Sequence, residues 1–434
     1  MSSFRLPEGM RLGVAASATQ IEGGDTNNSW YAWYLQGHIK DGSDPSHAAQ
    51  HAVLWREDAA IMHKLGLQIY RMGVEWSRIE PEEGHYDELA LMRYREEILL
   101  LRKYGIDVLL TLHHFTNPLW FEKKGAFLHK DAETVFLRFV ERVVRALGDI
   151  VSGYVTVNEP NVYATFGYFF GEWPPGRRSF FEAMRVMRTL AGCHARAYTL
   201  IHRLRREMGH ADTKVGFAHH MRVFAPKDKK NIWHRTGARL TERLFQTVLE
   251  QAMYEGRGVF PLGKPAGIRP GLYCDFHGVN YYTRSTVTGI GDGVRRGSPV
   301  NDLGWEIYPE GIVECAKHLY QRWKLPIYIT ENGTCDNQDE FRCRYLFEHI
   351  DALCKSGLPV QRYYHWCFTD NFEWLEGESA RFGIVHVEYE TGRRVVKESG
   401  NFYAALIREG GVDETLYERY CRQSYRTNSG RENP

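Results

Sequence analysis

Four things are missing from this chain of 434 residues. There is no excess of charge of one sign: 55 Lys and Arg oppose 54 Asp and Glu, so the chain lacks the net basic surface that a nucleic-acid or anionic-membrane partner needs. The short basic runs Arg203 to Arg206 and Lys227 to Lys230 read as solvated faces. There is no long apolar stretch. Met1 to Leu12 carries none after its basic residue, which argues against a secretory leader and a membrane span. The eight cysteines (Cys193, Cys274, Cys315, Cys335, Cys343, Cys354, Cys367 and Cys421) include no Cys-x-x-Cys pair, which fits reduced thiols better than a zinc or disulfide framework. Finally, no heptad run, internal repeat or low-complexity tract occurs. The expectation is a cytoplasmic protein with neither membrane nor nucleic acid as partner; composition leaves a homo-oligomer open.

What is present is apolar material for a large core, at 43% of residues, and an aromatic share of 13% with 11 Trp. Large flat side chains suit the apolar faces of sugar rings, and they suit an aromatic-rich core equally well. Length admits two domains, but barrels with long loops reach this size as one unit.

Apolar strand-like runs alternate with amphipathic helical patterns along the chain. Leu91, Tyr94, Ile98 and Leu101 recur at helical spacing, Gly105 stops that helix, and Ile106 to Leu112 reads as a buried strand. The unit then repeats. Asp131 is a candidate N-cap, Phe136, Phe139, Val140, Val143 and Leu147 form one stripe, and Ile150 to Val157 is the next strand. The remaining candidates are Arg11 to Ala16, Gln68 to Val74, Lys214 to Ala218, Phe276 to Tyr281, Ile327 to Thr330 and Gln361 to Cys367. Eight strands predict an α/β fold: a single (β/α)8 TIM barrel with long βα loops. Residues 1–434 would form one catalytic domain, ordered roughly from 10 to 425. Gly256 to Gly271 and Gly289 to Gly304 read as surface loops.

In such barrels the chemistry gathers where strands end. Here those ends carry Gln20 and Glu22; Glu75 and Trp76; His113, His114 and Phe115; Asn158 and Glu159; Asn280 and Tyr282; Glu331 and Asn332; and Trp366, Glu373 and Trp374. Two ends place a carboxylate beside an asparagine, in Thr-Val-Asn-Glu-Pro (Thr156 to Pro160) and Ile-Thr-Glu-Asn-Gly (Ile329 to Gly333). Cleaving a glycosidic bond with retention needs one protonated carboxyl and one ionised carboxylate on opposite faces of the sugar, about 5–5.5 Å apart. Strands four and seven lie on opposing walls of an eight-stranded ring.

These motifs, with Ala16 to Gly23, Tyr70 to Pro81, Thr111 to Trp120, Phe276 to Arg284, Gly304 to Gly311 and Trp366 to Gly383, resemble glycoside hydrolase family 1 over nearly the whole chain. The resemblance implies a retaining β-glycosidase acting on a small carbohydrate, without cofactor or metal. It makes Glu159 the acid/base and Glu331 the nucleophile. It assigns sugar contacts to Gln20, His114, Asn158, Trp305, Trp366, Glu373, Trp374 and Phe382, nucleophile support to Arg71 and Tyr282, and a place beside the acid/base to Asn280. Arg71 would keep Glu331 ionised while Glu159 starts protonated. Glu373 stands where phospho-glycosidases carry Ser, and would repel a phosphate dianion. An acid/base glutamate at 159 argues against the plant thioglucosidases.

Rival readings are a non-catalytic sugar-binding relative and a metal-dependent barrel hydrolase using His113 and His114. The first is disfavoured because both carboxyls are present. The second is disfavoured because the first strand end carries Gln20 where a histidine would be wanted. His219, His220 and His277 read as structural, as do Arg78, Glu57 and Asp58. Asn161, Phe115 and Glu378 depart from the family pattern, which makes the leaving-group side unusual and adds charge at its rim.

Overall fold

The eight apolar runs become eight parallel strands because each can bury both faces only between neighbours and an outer layer of helices. The computed structural model describes residues 3–289 and 291–428. The strands are β1 (Arg11–Ala15), β2 (Ile69–Gly73), β3 (Asp107–Thr111), β4 (Gly153–Asn158), β5 (Lys214–Pro226), β6 (His277–Val287), β7 (Ile327–Asn332) and β8 (Val360–Trp366). Each pairs in parallel with the next, and β8 pairs with β1, so the sheet closes.

Strand periodicity of two splits the buried residues into an inner and an outer core. Ala15, Ile69, Leu109, Val155, Ala218, Tyr328 and Tyr364, with Phe276 just ahead of β6, fill the barrel interior as one cluster. Their neighbours Val14, Tyr70, Leu110, Tyr154, Phe217, Val279, Ile329 and Tyr363 face outward into a second, larger cluster. Gly13 is required by the closeness of β1 and β2: a β-carbon there would lie 1.7 Å from the Ile69 carbonyl oxygen.

A principal helix follows each strand: α1 (His51–Lys64), α2 (Glu88–Lys103), α3 (Ala132–Leu147), α4 (Phe180–Glu207), α5 (Val248–Glu255), α6 (Glu310–Arg322), α7 (Arg342–Lys355) and α8 (Glu398–Glu409). Asp87 caps α2 by accepting from the Leu89 and Ala90 amides. Asp131 occupies the matching position before α3, yet its side chain makes no capping bond. The stripe of Phe136, Phe139, Val140, Val143 and Leu147 is fully buried.

Three expectations need correction. β5 and β6 run well past Ala218 and Tyr281 and stay paired from Val223 with Arg284 to Pro226 with Val287. The polar residues His219, His220 and Arg222 make the end of the apolar run look like the end of the strand. Arg205 is not solvated: it is buried, its Nε donates to Thr213 Oγ1 at 3.2 Å, and it pairs with Asp212. The stretch from Gly289 to Gly304 holds two short strands, Asp292–Gly293 on β6 and Pro299–Val300 on Arg426–Thr427; its residue 290 lies outside the described residues. Among the described residues no helix is long and apolar enough to cross a membrane.

Candidate active site

β4 ends because Pro160 opens a short helix, Pro160–Ala164, and proline suits the first helical position. The residue before it, Glu159, is pushed to φ 43° and ψ 57°. A non-glycine residue in this left-handed region costs about 1–3 kcal/mol, a cost that clusters at functional sites. The Glu159 amide donates to the Ala218 carbonyl at 2.8 Å, which ties the strained turn to β5. Glu331 needs no such turn, since it sits within β7. Strand register sets it level with its neighbours: His220 on β5 pairs with Asn280 on β6, and Asn280 pairs with Glu331 on β7.

One hydrogen-bonded network joins the two glutamates. Arg71, inside the barrel on β2, donates to Glu331 Oε1, to the Thr330 carbonyl at 3.2 Å and to Asn158 Oδ1 at 2.6 Å. The Tyr282 hydroxyl donates to Glu331 Oε2 at 2.5 Å. Asn280 Nδ2 donates both to Asn158 Oδ1 at 3.0 Å and to Glu159 Oε1 at 2.8 Å. Thr330 Oγ1 orients that amide by donating to Asn280 Oδ1 at 2.6 Å. The same Glu159 oxygen lies 3.0 Å from His220 Nδ1.

The remaining predicted residues adjoin this network. Asn158 Nδ2 donates to His114 Nε2 at 3.1 Å. The His114 ring stacks near Trp366, at 5.8 Å, and near Trp374, at 5.9 Å. Glu373 Oε2 accepts from Gln20 Nε2 at 3.3 Å and Trp366 Nε1 at 3.4 Å. Tyr282 packs edge-on against Trp305 and Phe382. His113 turns aside, its Nε2 2.9 Å from Asn117 Oδ1. A separate cavity of about 790 Å³, lined by Arg284, Arg296, Tyr308, Arg344 and Glu348 among others, contains none of the predicted residues.

Burial and mutual repulsion govern the carboxyls. Burial pushes Glu331 up to about 7; Arg71 opposes this and the charge of Glu159 reinforces it. Burial also pushes Glu373 up to about 8, aided by Glu331 and Glu159 and opposed by its hydrogen bonds from Trp366 and Gln20. Glu373 therefore carries a proton near neutrality and can donate as well as accept, which weakens the expected repulsion of phosphate. Burial raises Glu159 too, but a charged His220, with Asn280 and Arg71, would bring it below the ordinary carboxylate range. Glu159 and Glu331 thus compete for one proton, and the state of His220 helps decide who holds it.

The contact of His220 with Glu159 overturns its expected structural role. The rule that inspected strand ends would have found it had β5 been read two residues longer. The three departures also have definite surroundings. Asn161 is buried and its Nδ2 donates to the His220 carbonyl at 2.9 Å. Phe115, at φ 69°, packs on Trp173 and Trp374. Burial and Asp41 push Glu378 up to about 7, so it adds less charge than expected.

Comparison with known proteins bears on this arrangement directly. The glycosyl hydrolase family 1 model matches residues 2–261 and 273–412. The chain belongs to glycosyl hydrolase family 1. Within that family it is 31% identical to β-glucosidase A of Thermotoga maritima, over 95% of this chain and all of the relative. It is 29% identical to a β-galactosidase of Pyrococcus woesei, over 96% and 99%. The β-glycosidase structure from Pyrococcus horikoshii superposes with a TM-score of 0.87 at 35% identity, over 96% of this chain and 98% of that one. The family 1 barrel is thus shared in both sequence and fold, and the paired glutamates lie at its mouth.

Proposed function

We propose that this family 1 chain hydrolyses terminal, non-reducing β-D-glycosyl residues by double displacement, with β-glucosides preferred and β-galactosides or β-fucosides also accepted. The observation that carries the reading is the unequal support of two buried glutamates: Glu331 receives a guanidinium and a phenol, one on each oxygen, whereas Glu159 receives its donors on Oε1 alone. By its donors the anion is better supported on Glu331, but burial and the Glu159 charge push Glu331 up while a charged His220 holds Glu159 low, so the shared proton belongs on Glu159 only when His220 is neutral.

In the first step the Glu331 carboxylate attacks the anomeric carbon, the bond to the leaving oxygen breaks, and the Glu159 proton passes to that oxygen. An ester forms and the charge on Glu331 disappears. The pull of that charge on the Glu159 proton is then gone, so Glu159 becomes more acidic and can take a proton from water as the water attacks the ester. The sugar leaves with its configuration retained, and both carboxyls return to their starting states.

The sugar contacts follow the same reading. Gln20 and Glu373 bind hydroxyls far from the cleaved bond, Trp366 floors the ring, and His114 and Asn158 serve hydroxyls nearer the anomeric carbon. Trp374 contributes at the outer hydroxyls, and Trp305 and Phe382 line the side wall beside Tyr282. The galactose and glucose epimers differ in one hydroxyl, and a Glu373 that can donate or accept suits either. The relatives named β-glucosidase and β-galactosidase support that breadth. The chain acts as one catalytic unit, and its eight unpaired thiols suit a reducing compartment such as the cytoplasm.

A panel of nitrophenyl β-glycosides tests the reading: β-glucoside turnover unaffected by a chelator is expected, and no turnover at any pH would refute it. Azide distinguishes the two glutamates. With an activated aryl glycoside, Glu159→Ala should yield the β-glycosyl azide and Glu331→Ala the α-azide; the reverse would exchange their roles.

A further inference from the structure

Beside the acid/base lies a second arginine that the mechanism above leaves without a task. His220 Nε2 lies 3.2 Å from Arg222 Nε. A guanidinium nitrogen can only donate, so the imidazole Nε2 must offer its lone pair. The one proton of the ring then sits on Nδ1, which faces Glu159 Oε1 at 3.0 Å. We infer that Arg222 is a positioning residue for the general acid: by occupying His220 Nε2 it holds His220 neutral, with its Nδ1–H donating to Glu159. The inference rests on the reading of Glu159 as acid/base.

Arg222 is well fixed for this work. Its amide donates to Gln246 Oε1 at 3.3 Å, its Nη1 donates to Ser285 Oγ at 3.3 Å, and its guanidinium lies over the Phe245 ring at 5.9 Å. His220 is held as firmly, stacked on Tyr282 at 5.9 Å, set edge-on to Phe245 at 5.8 Å, and bonded through its carbonyl to Asn161. The arrangement joins the acid/base on β4 to the tyrosine that serves Glu331 on β6.

The consequence is chemical. An imidazolium at that distance would hold Glu159 ionised and leave no proton for the leaving oxygen. A neutral Nδ1–H instead joins Asn280 on Oε1, so the transferable proton belongs on Oε2. The other charges facing the pair are Arg71 on β2, Glu331 on β7, Tyr282 on β6, His114 beyond β3 and Glu373 beyond β8; His219 and Glu250 lie behind His220, with His318 beyond Glu250, and Asp292 acts on Arg222. Among these, Arg222 alone touches His220 Nε2.

The test compares kcat/KM against pH for an alkyl β-glucoside, which needs the proton, and for dinitrophenyl β-glucoside, which does not. In Arg222→Met the basic limb for the alkyl glucoside should move down by about 1–3 pH units, the effect of a new opposite charge beside a carboxyl. The dinitrophenyl substrate should stay within about threefold of wild type, because general-acid assistance is not required. In a His220→Phe background only the direct charge of Arg222 on Glu159 remains, so Arg222→Met should no longer lower the limb and should move it slightly upward. An unmoved limb in Arg222→Met, or an equal shift in the His220→Phe background, overturns the inference. Glu159→Gln separates the two readings: if it keeps the alkyl glucoside rate, the acid/base assignment itself fails. Nitrogen-15 NMR of the wild-type histidines needs no variant. His220 is expected as the neutral Nδ1–H form across the active pH range, and an imidazolium there would contradict the proposal.

Discussion

Behind the barrel wall, His51 stands between Asp58 Oδ2 at 2.7 Å and Glu97 Oε1 at 2.8 Å; at the mouth, Arg71 faces Glu331 with Glu159 and Glu373 close by. Both clusters are buried and both mix carboxylates with cations. In the first, Arg394 pairs with Asp58, Arg93 with Glu97 and Glu22, and Arg78 with Glu22, so every carboxylate has a cation against it. Burial disfavours a charge on His51, but Glu97 and Asp58 outweigh it and push the ring up to about 10. In the second, Arg71 pairs with Glu331 while Glu159 and Glu373 add like charge close by, and Glu331 and Glu373 rise to about 7 and about 8. Balanced burial freezes protons in place. An unbalanced site leaves them poised to move near neutral pH, which is what acid–base chemistry requires.

The comparison can be broken from either side. Glu331→Ala removes the proposed nucleophile and should lower kcat by roughly 10⁴-fold or more, the scale on which losing a covalent nucleophile costs. Steady-state kinetics reads this directly. His51→Leu breaks the balanced cluster and should destabilise the fold by about 3–5 kcal/mol in urea, the cost of leaving buried charges without a partner, with kcat little changed. The pH dependence has a definite sign. Because the folded pKa of His51 is raised, its stabilisation is complete below about 6.5 and is lost as pH climbs toward about 10. Wild-type stability should fall over that window, and the fall should be smaller in His51→Leu.

Tyr282→Phe removes one hydrogen bond to a charged carboxylate and should cost about 1.5–3 kcal/mol of transition-state stabilisation, read as a ten- to hundredfold loss in kcat/KM. Glu373→Gln is the smallest change. Its raised pKa means that the folded state loses stability as pH rises from about 4.5 to about 8, so the amide should be more stable than the wild type at pH 9 and equal to it near pH 4.5. Thermal melts at pH 5 and pH 9 measure the difference.

Much of this was legible in the chain because strands and chemistry share one rule. Each apolar run of four to eight residues falls on an observed strand, and the side chains after it point at the mouth. Thus Glu159, Asn280 and Glu331 could be found from position alone. Reading failed where polarity and structure part company. The end of β5 is not legible because the partners of His220, Glu159 and Arg222, leave no apolar pattern. The expected ionised Glu331 and protonated Glu159 run against the folded site, where burial and the Glu159 charge push Glu331 up while His220, Asn280 and Arg71 hold Glu159 down.

The central claim is the division of labour between the two glutamates, and trapping the intermediate tests it most directly. A 2-deoxy-2-fluoro-β-glucoside with a good leaving group slows ester hydrolysis, so the glycosyl-enzyme should accumulate. After digestion, mass spectrometry should find one fluorosugar on the peptide containing Glu331 and none on that containing Glu159. A label on Glu159 or Glu373, or inactivation without any covalent sugar, would contradict the account.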